Sequence, residues 1–353
     1  MKEAVFLQEV KEIQLLKNAL TLLDWDSSTG MPEKSSPFRG EVEGYLTGLY
    51  FERSIGPVIQ EALAYFETRP EELSELGKLV FEKVKEEYAL NKNVPAERMQ
   101  EYVKVLNQAH TDWLKARAAQ DFGLLEETLT KVVAFQKEFI PYWQKEEKTP
   151  YDVLLNQFEP GMTVEKLDQV FDQVKQGIQE IRTVLAEKGT PPRTDFLSRK
   201  MTKEQQRRFV IGVVEQLGYD FSKGRLDDTV HPFMTALNRN DARITTRWEE
   251  NNFSMATFGV IHEAGHGMYE QNFDPKFDFT PLSEGASMGI HESQSLFNEI
   301  IIGSNRAFWQ KQYPFFQECA EGTFDDIAFE DFYASLKETK ASLIRIEIGR
   351  AHV

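Results

Sequence analysis

Two histidines four positions apart carry the clearest chemical signal in the chain. They are His262 and His266, and Glu263 directly follows the first, so residues 262–266 spell H-E-x-x-H. On a helix, side chains with this spacing project from one face, so both imidazoles can reach one Zn²⁺ at about 2.0–2.1 Å. Glu263 then points toward a water on the metal and can take its proton. The motif predicts a metal site with a general base beside it.

A catalytic zinc needs a third protein ligand and one open position. The downstream candidates all offer a carboxylate or an imidazole: Glu270, Asp274, Asp278, Glu284, His291, Glu292 and Glu299. Glu270 shares the helix face of His266, but three ligands from one helix rarely give a tetrahedral arrangement. Residues 283–302 predict a second helix, antiparallel to the first. We expect Glu292, in the middle of that helix, to be the third ligand, with His291 and Glu284 as alternatives.

The helix that carries the histidines is predicted over residues 255–273. It is apolar on both sides of the motif, which favours a buried helix over a surface helix with two histidines on its polar face. Three glycines, Gly259, Gly265 and Gly267, weaken it by up to about 1 kcal/mol each relative to alanine. We expect these glycines to allow the close approach of a neighbouring helix, another element or a substrate backbone.

Apolar residues recur every three or four positions along most of the chain. This helical spacing occurs in residues 79–88, 102–113, 124–140, 163–187 and 202–217. The predicted fold class is therefore mainly α.

One region has a different pattern. Residues 229–258 are rich in β-branched and aromatic residues around two polar turns, which predicts a small antiparallel β ribbon with strands near 240–248 and 251–256. Residues 190–195 are interpreted as a surface loop between helices. Because no linker rich in Pro, Gly or Ser divides the chain, a single domain over residues 1–353 is predicted.

Composition narrows the possible functions. The chain has 353 residues, 41% of them hydrophobic, and a net charge of −16. This charge disfavours binding to nucleic acid and to anionic membranes, and we see no apolar run long enough for a membrane span. The one cysteine, Cys319, excludes an intrachain disulfide and a thiolate metal cluster. We expect a soluble, cytoplasmic protein.

Five short motifs together resemble one known family. They are Met31-Pro32 with Arg39, His231-Pro232-Phe233, D-x-R-x-T at 241–245, the H-E-x-x-H motif, and His291-Glu292-Ser293. In this order and spacing they resemble the M32 family of zinc metallocarboxypeptidases, the thermostable carboxypeptidase type. The resemblance covers the chain to about residue 347.

The resemblance implies a fold, a ligand set and an activity. The implied fold is a helical saddle-like body with a deep central groove and a small β ribbon beside the metal site, assembled as a homodimer. It also implies that His262, His266 and Glu292 bind the metal and that Glu263 is the general base. Zn²⁺ is the expected ion, although Co²⁺ also suits a site of two imidazoles and a carboxylate.

Further residues are expected to bind the peptide substrate. The resemblance places His231, Asp241, Arg243 and Thr245 at the border of the site, with a purely structural role in a strand and its turn as the alternative. A carboxypeptidase also needs a cation for the substrate's terminal carboxylate, and the planar fork of arginine suits it. The family motif I-R-x-x-A-D places Arg345 in this role, with an ordinary surface charge as the alternative.

The end of the chain departs from the family pattern. The family continues through a G-x-x-Q-D-x-H-W motif, whereas this chain ends in Ile-Gly-Arg-Ala-His-Val. We therefore expect a member that lacks the family's C-terminal portion, binds metal and has weakened or absent turnover.

The predicted activity is the release of C-terminal amino acids from peptides by metal-activated water. Two alternatives stay open: an oligopeptidase that cleaves inside short peptides, and an inactive, truncated peptide-binding form.

Overall fold

Helices dominate the structure, a computed structural model that describes residues 1–338. The first nine are α1 (Glu3–Thr29), α2 (Ser36–Ser54), α3 (Pro57–Phe66), α4 (Glu75–Asn91), α5 (Ala96–Ala119), α6 (Gly123–Trp143), α7 (Pro150–Phe158), α8 (Val164–Lys188) and α9 (Lys203–Leu217). Three strands follow: β1 (Leu226–Asp228), β2 (Met234–Asn238) and β3 (Asp241–Thr246). The last helices are α10 (Phe253–Gln271), α11 (Met288–Leu296), α12 (Arg306–Cys319) and α13 (Phe329–Ser335). The predicted fold class, mainly α with a small β element, is confirmed.

The described residues group into two compact units. One comprises residues 1–157 and 274–284, and the other comprises residues 158–273 and 285–338. Within residues 1–338 no helix is both long enough and apolar enough to cross a lipid bilayer. The single domain, the saddle-like shape and the central groove stay predictions.

The first unit has two aromatic cores built by the predicted helical spacing. In one, Phe6 of α1 packs against Phe66 of α3 and Phe81 of α4, with ring centroids 6.0 and 6.4 Å from that of Phe6. In the other, Tyr102 of α5 lies 5.4 Å from Phe139 of α6. Because buried residues recur every three to four positions, each helix turns one apolar face inward.

The second unit has a larger core, and this core fixes the helix that carries the H-E-x-x-H motif. Phe253, at the start of α10, stacks on Phe332 of α13 with centroids 5.9 Å apart and packs against Phe316 of α12 at 4.8 Å. Val260, Ile261 and Ala264 of α10 are also buried in this core. Large aromatic side chains dominate such packing, so they fix which face of α10 points into the core. The other face of the helix is left for the polar residues of the motif.

The sheet differs in detail from the predicted ribbon. Its strand order is β1-β3-β2, with β1 parallel and β2 antiparallel to β3. The predicted strand at 240–248 corresponds to β3, but the predicted strand at 251–256 was wrong. Phe253 and Ala256 there are both buried on one side of α10, which is the three-residue spacing of a helix. The partners of β3 lie before it in the chain, and β2 joins it through a tight turn at Arg239-Asn240.

The sheet lies directly against α10. A side chain at Gly267 would meet the ring of Tyr219 at 2.7 Å and Ile244 of β3 at 3.5 Å. The Tyr219 hydroxyl donates to the Ala242 carbonyl over 2.6 Å, which holds that ring between helix and strand. The predicted placement of a small β element beside the metal-site helix is therefore borne out in this unit.

Candidate metal centre

Three potential ligands converge where α10 meets α11. His262 and His266 project from α10, and Nε2 of each faces the same oxygen, Oε2 of Glu292, at 3.5 and 3.3 Å. The ligand atoms of the three residues all lie within 4.8 Å of one another. In residues 1–338 no other set of three or more His, Cys, Asp or Glu side chains is so arranged. Two imidazoles and one carboxylate form a three-ligand set of the kind that holds catalytic zinc.

Gly265 makes this convergence possible. A Cβ at this position would lie 2.7 Å from both the Gln294 carbonyl oxygen and the Ser295 Cα of α11, so only glycine lets the two backbones approach so closely. The expectation that Gly265 and Gly267 permit close packing is confirmed by these distances. Gly259 differs, because nothing lies within 4 Å of the position its Cβ would take.

The first histidine is oriented by a carboxylate. Nδ1 of His262 lies 2.8 Å from Oε2 of Glu299, which follows α11 in a single π-helical stretch, Phe297–Ile302. If Nε2 of His262 faces a metal, its Nδ1–H donates to this carboxylate. Glu299, a candidate ligand by sequence, is therefore placed to orient a ligand.

The second histidine is oriented through a relay of two side chains. Nδ1 of His266 lies 2.5 Å from Nδ1 of His291, whose Nε2 lies 2.9 Å from Oε1 of the buried Glu270. If Nε2 of His266 faces a metal, its Nδ1–H donates to His291, and the Nε2–H of His291 donates to Glu270. His291 and Glu270 are thus supports of His266.

Electrostatics holds Glu292 ionised between the histidines. The half-buried position of Glu292 would raise the pKa of its carboxyl, but hydrogen bonds from His262 and His266 bring that pKa well below its usual range. Burial acts to lower the pKa of His262, yet its hydrogen bonds to Glu292 and Glu299 prevail and raise the pKa to about 10. Burial lowers the pKa of His266, and its bond to Glu292 only partly opposes this. The two histidines therefore favour the anionic form of the Glu292 carboxylate.

Three further features complete the setting. The Glu292 side chain is 42% exposed, so solvent reaches the converging atoms. The Ser295 hydroxyl, one helical turn along α11, lies 3.1 Å from Oε2 of Glu292. Glu263 is only 7% exposed, and its charge lies near enough to His262 to act on the pKa of that ring. A buried carboxylate is thus held next to the cluster.

Glu284, the other alternative ligand, has a different partner. It lies in the first unit, where its carboxylate forms an ion pair with Lys17 of α1 at 2.5 Å. A carboxylate paired in this way has its charge satisfied by an ammonium group.

The residues expected to bind substrate lie on or near β3, in a hydrogen-bonded frame. Arg243 makes a bidentate ion pair with Asp241, with both N–O distances 2.8 Å. The buried Thr245 hydroxyl lies 2.8 Å from the backbone N and from the backbone O of Phe233, which fixes the H-P-F segment beside β3. His231, in the same segment, is half-buried. Their part in substrate binding stays a prediction, and Arg345 lies outside the described residues.

The supports of the ligands were not assigned from the sequence, although a signal for them exists. Glu299 is seven residues beyond Glu292 and Glu270 is four beyond His266, so each shares a helix face with a ligand. Spacing of this kind indicates only a common face. It does not show which residue on that face would bind the metal and which would orient a metal-binding side chain.

We expect Glu299→Gln to weaken metal binding without removing it. The neutral amide is a poorer acceptor for the Nδ1 proton of His262, so the dissociation constant for Zn²⁺ should rise about 10- to 100-fold. Competition with a chelator of known affinity measures this value. Glu250→Gln, which alters an exposed carboxylate paired with Lys200, is the matched control and should bind as the unaltered chain does. Equal affinity in both variants would contradict the support role of Glu299.

Comparison with known proteins identifies the family of the chain. The family model for carboxypeptidase Taq (M32) metallopeptidases matches residues 5–349. The chain belongs to the M32 metallocarboxypeptidase family. The resemblance noted from the sequence is thus confirmed, and so is the prediction of a metallocarboxypeptidase.

Its M32 relatives match nearly the whole chain. Carboxypeptidase 1 of Bacillus subtilis (strain 168) is 43% identical over 345 residues, covering 98% of this chain and 69% of that protein. Thermostable carboxypeptidase 1 of Thermus thermophilus is 32% identical over 348 residues, covering 96% and 68%. A solved structure described as "BsuCP Crystal Structure" matches with a TM-score of 0.94 at 43% identity, covering 98% of this chain and 69% of that one. Membership of a metallopeptidase family implies a divalent metal, and the cluster of His262, His266 and Glu292 offers a site for it.

Proposed function

We propose that this M32 chain is a zinc-dependent carboxypeptidase that releases C-terminal amino acids from peptides. In this proposal His262, His266 and Glu292 hold the ion and Glu263 is the general base. The observation that carries it is the convergence of both histidine Nε2 atoms on one oxygen of Glu292.

The donor set supports zinc. Catalytic zinc sites use three protein ligands from imidazole and carboxylate groups and keep a further position open, and the partial exposure of Glu292 leaves access for it. Co²⁺ accepts the same donors and is the second candidate. A bound Zn²⁺ would lower the pKa of its water to about 7 and would polarise the scissile carbonyl.

The residues of the chain would then carry the proton. In this mechanism the Glu263 carboxylate takes the proton of the attacking water and later delivers it to the nitrogen of the leaving amino acid. Glu299 and the relay of His291 and Glu270 hold the two imidazoles so that neither Nδ1 competes for the cation. Each of these hydrogen bonds keeps one imidazole in a single tautomer and orientation. The position of the ion relative to the Glu263 carboxylate is thereby fixed.

The carboxypeptidase activity is proposed to depend on the substrate's free carboxylate. Replacing that carboxylate by an amide removes the charge that an arginine fork recognises, so kcat/KM should fall at least about 100-fold. Hydrolysis of a blocked dipeptide and its C-terminal amide, followed by chromatography of the released amino acid, measures the ratio. Equal cleavage of both would favour an enzyme that cuts inside peptides.

We also propose a cytoplasmic location. The support is chemical: the one cysteine, Cys319, is buried as a free thiol, and a chain without disulfides suits a reducing compartment. Fractionation of the native cells, followed by detection of the chain, tests this.

A further inference from the structure

The helix that carries Glu292 is capped by a carboxylate from far earlier in the chain. Gly289, in the first turn of α11, donates its backbone N–H to Oε2 of Glu159 over 2.8 Å, across 130 positions of sequence. The next N–H, that of Ile290, is accepted by the Ser287 hydroxyl at 3.2 Å. The first N–H groups of a helix have no partner within it, and a carboxylate there also opposes the positive end of the helix dipole. The start of α11 is therefore held by Glu159 as well as by its own serine.

A tight turn fixes the backbone of Glu159. Its carbonyl accepts the N–H of Met162 over 3.0 Å, and Pro160 and Gly161 occupy the two central positions of the turn. Gly161 has a φ of +79°, as the second central residue of a type II turn requires. The Lys166 ammonium donates to the Gly161 carbonyl over 2.8 Å. The Glu159 side chain thus reaches α11 from a defined place within the second compact unit.

Gly289 leaves room for this carboxylate. A Cβ at Gly289 would lie 3.0 Å from Cδ of Glu159 and closer still to Oε2. Any larger residue would therefore push the carboxylate off the N–H of Gly289. Alanine would otherwise be the better residue inside a helix. The contact with Glu159 thus gives a reason for glycine at this position.

The cap lies beside the metal ligand of α11. Successive residues of a helix are turned by about 100°, so Glu292 lies only about 60° around α11 from Gly289 and one turn along it. His291, which supports His266, lies about 160° from Gly289 on the same count. Glu159 therefore holds the edge of α11 next to Glu292, on the side away from His291.

We propose that Glu159 is a positioning residue for the metal, because its cap holds the first turn of α11 where the Glu292 carboxylate meets both histidines. The inference rests on the proposed ligand set, of which Glu292 is the member on α11. This helix is short, Met288–Leu296, so a shift of its first turn moves the ligand. Loss of the cap lowers the fraction of metal-free chains with Glu292 in place. The apparent dissociation constant for the ion rises in inverse proportion to that fraction.

Zinc affinity of Glu159 variants tests the proposal. Glu159→Ala should raise the dissociation constant for Zn²⁺ by about 3- to 30-fold, the range that corresponds to loss of one helix cap. Glu159→Gln keeps an acceptor oxygen at the same reach, so its affinity should stay within about twofold of the unaltered chain. Glu187→Ala, at an exposed position of α8, is the matched control and should bind normally. Competition with a chelator of known affinity measures all four proteins.

Gly289→Ala tests the same contact from the other side. Its Cβ displaces the Glu159 carboxylate, so zinc binding should weaken by a similar factor even though alanine is the better helix former. The double variant with Glu159→Ala should bind no more weakly than either single variant, because each removes one shared contact. Gly177→Ala is the control, since nothing lies within 4 Å of the position its Cβ would take.

Hydrogen exchange of the metal-free chain separates a local cap from a general structural role. In Glu159→Ala the amides of residues 287–292 should exchange at least about fivefold faster, while those of α10 and α12 should keep their rates. Faster exchange throughout the chain, or additive losses of zinc affinity in the double variant, would overturn the inference.

Zinc binding itself separates this inference from the proposed function. Unchanged affinity in Glu159→Ala, with binding still abolished by His262→Ala, would overturn the role of Glu159 alone. Full binding that survives His262→Ala would contradict the proposed ligand set and the inference together.

Discussion

Glu263→Gln should retain one bound metal ion and lose most of its activity. The variant keeps the size and burial of the side chain but cannot accept a proton, and general base catalysis contributes about 10²- to 10⁴-fold. We therefore expect kcat on a blocked dipeptide to fall within that range, with KM changed little. Metal content by plasma mass spectrometry and steady-state kinetics on the same preparation give both values.

A second glutamate-to-glutamine variant is the control for Glu263→Gln. Glu250→Gln changes an exposed carboxylate that is bound to Lys200, and it should keep the kinetics of the unaltered chain. If Glu263→Gln hydrolysed the dipeptide at a near-normal rate, another group would have to be the base.

His262→Ala should lose both the metal and the activity. It removes one of three ligand atoms and leaves the Glu299 carboxylate without its imidazole partner. We expect the metal content to fall from about one ion per chain to near zero, because two ligands rarely retain zinc against dialysis. The measurement is metal analysis after dialysis, with circular dichroism to establish that the fold is kept.

His110→Ala is the control for that loss. His110 lies in α5 and stacks on Trp113, with ring centroids 5.8 Å apart, in the first of the two units. It should bind as much metal as the unaltered chain. Retention of a full complement of zinc by His262→Ala would show that the ion binds elsewhere.

Local patterns were enough to predict several helices and the three residues that converge in the candidate metal centre. The three- to four-residue spacing of apolar side chains located α4, α5, α6, α8 and α9, because each helix there repeats one amphipathic pattern. The i, i+4 spacing placed His262 and His266 on one face without knowledge of the rest of the fold. Glu292 followed from an antiparallel second helix, and the structure brings it to the two histidines.

Features that depend on tertiary packing were not predictable in the same way. Residues 251–256 contain aromatic and polar residues that suit a strand, and only the core around Phe253 decides in favour of a helix. The orientation of His266 by His291 depends on how closely α11 approaches α10. The two helices can come so close because Gly265 has no side chain, and a Cβ at that position would clash with the backbone of α11. Sequence spacing also predicted the amphipathic α8 but not that its apolar face lies uncovered.

We propose that His262, His266 and Glu292 hold one zinc ion. The most direct measurement is anomalous diffraction at the zinc absorption edge from crystals grown with zinc. We expect one strong peak bonded to Nε2 of both histidines and to the Glu292 carboxylate, with Glu299 and His291 hydrogen-bonded to the two histidine rings and not bound to the ion. A peak ligated by His291 or Glu299, or no peak at this cluster in a crystal of active enzyme, would contradict it.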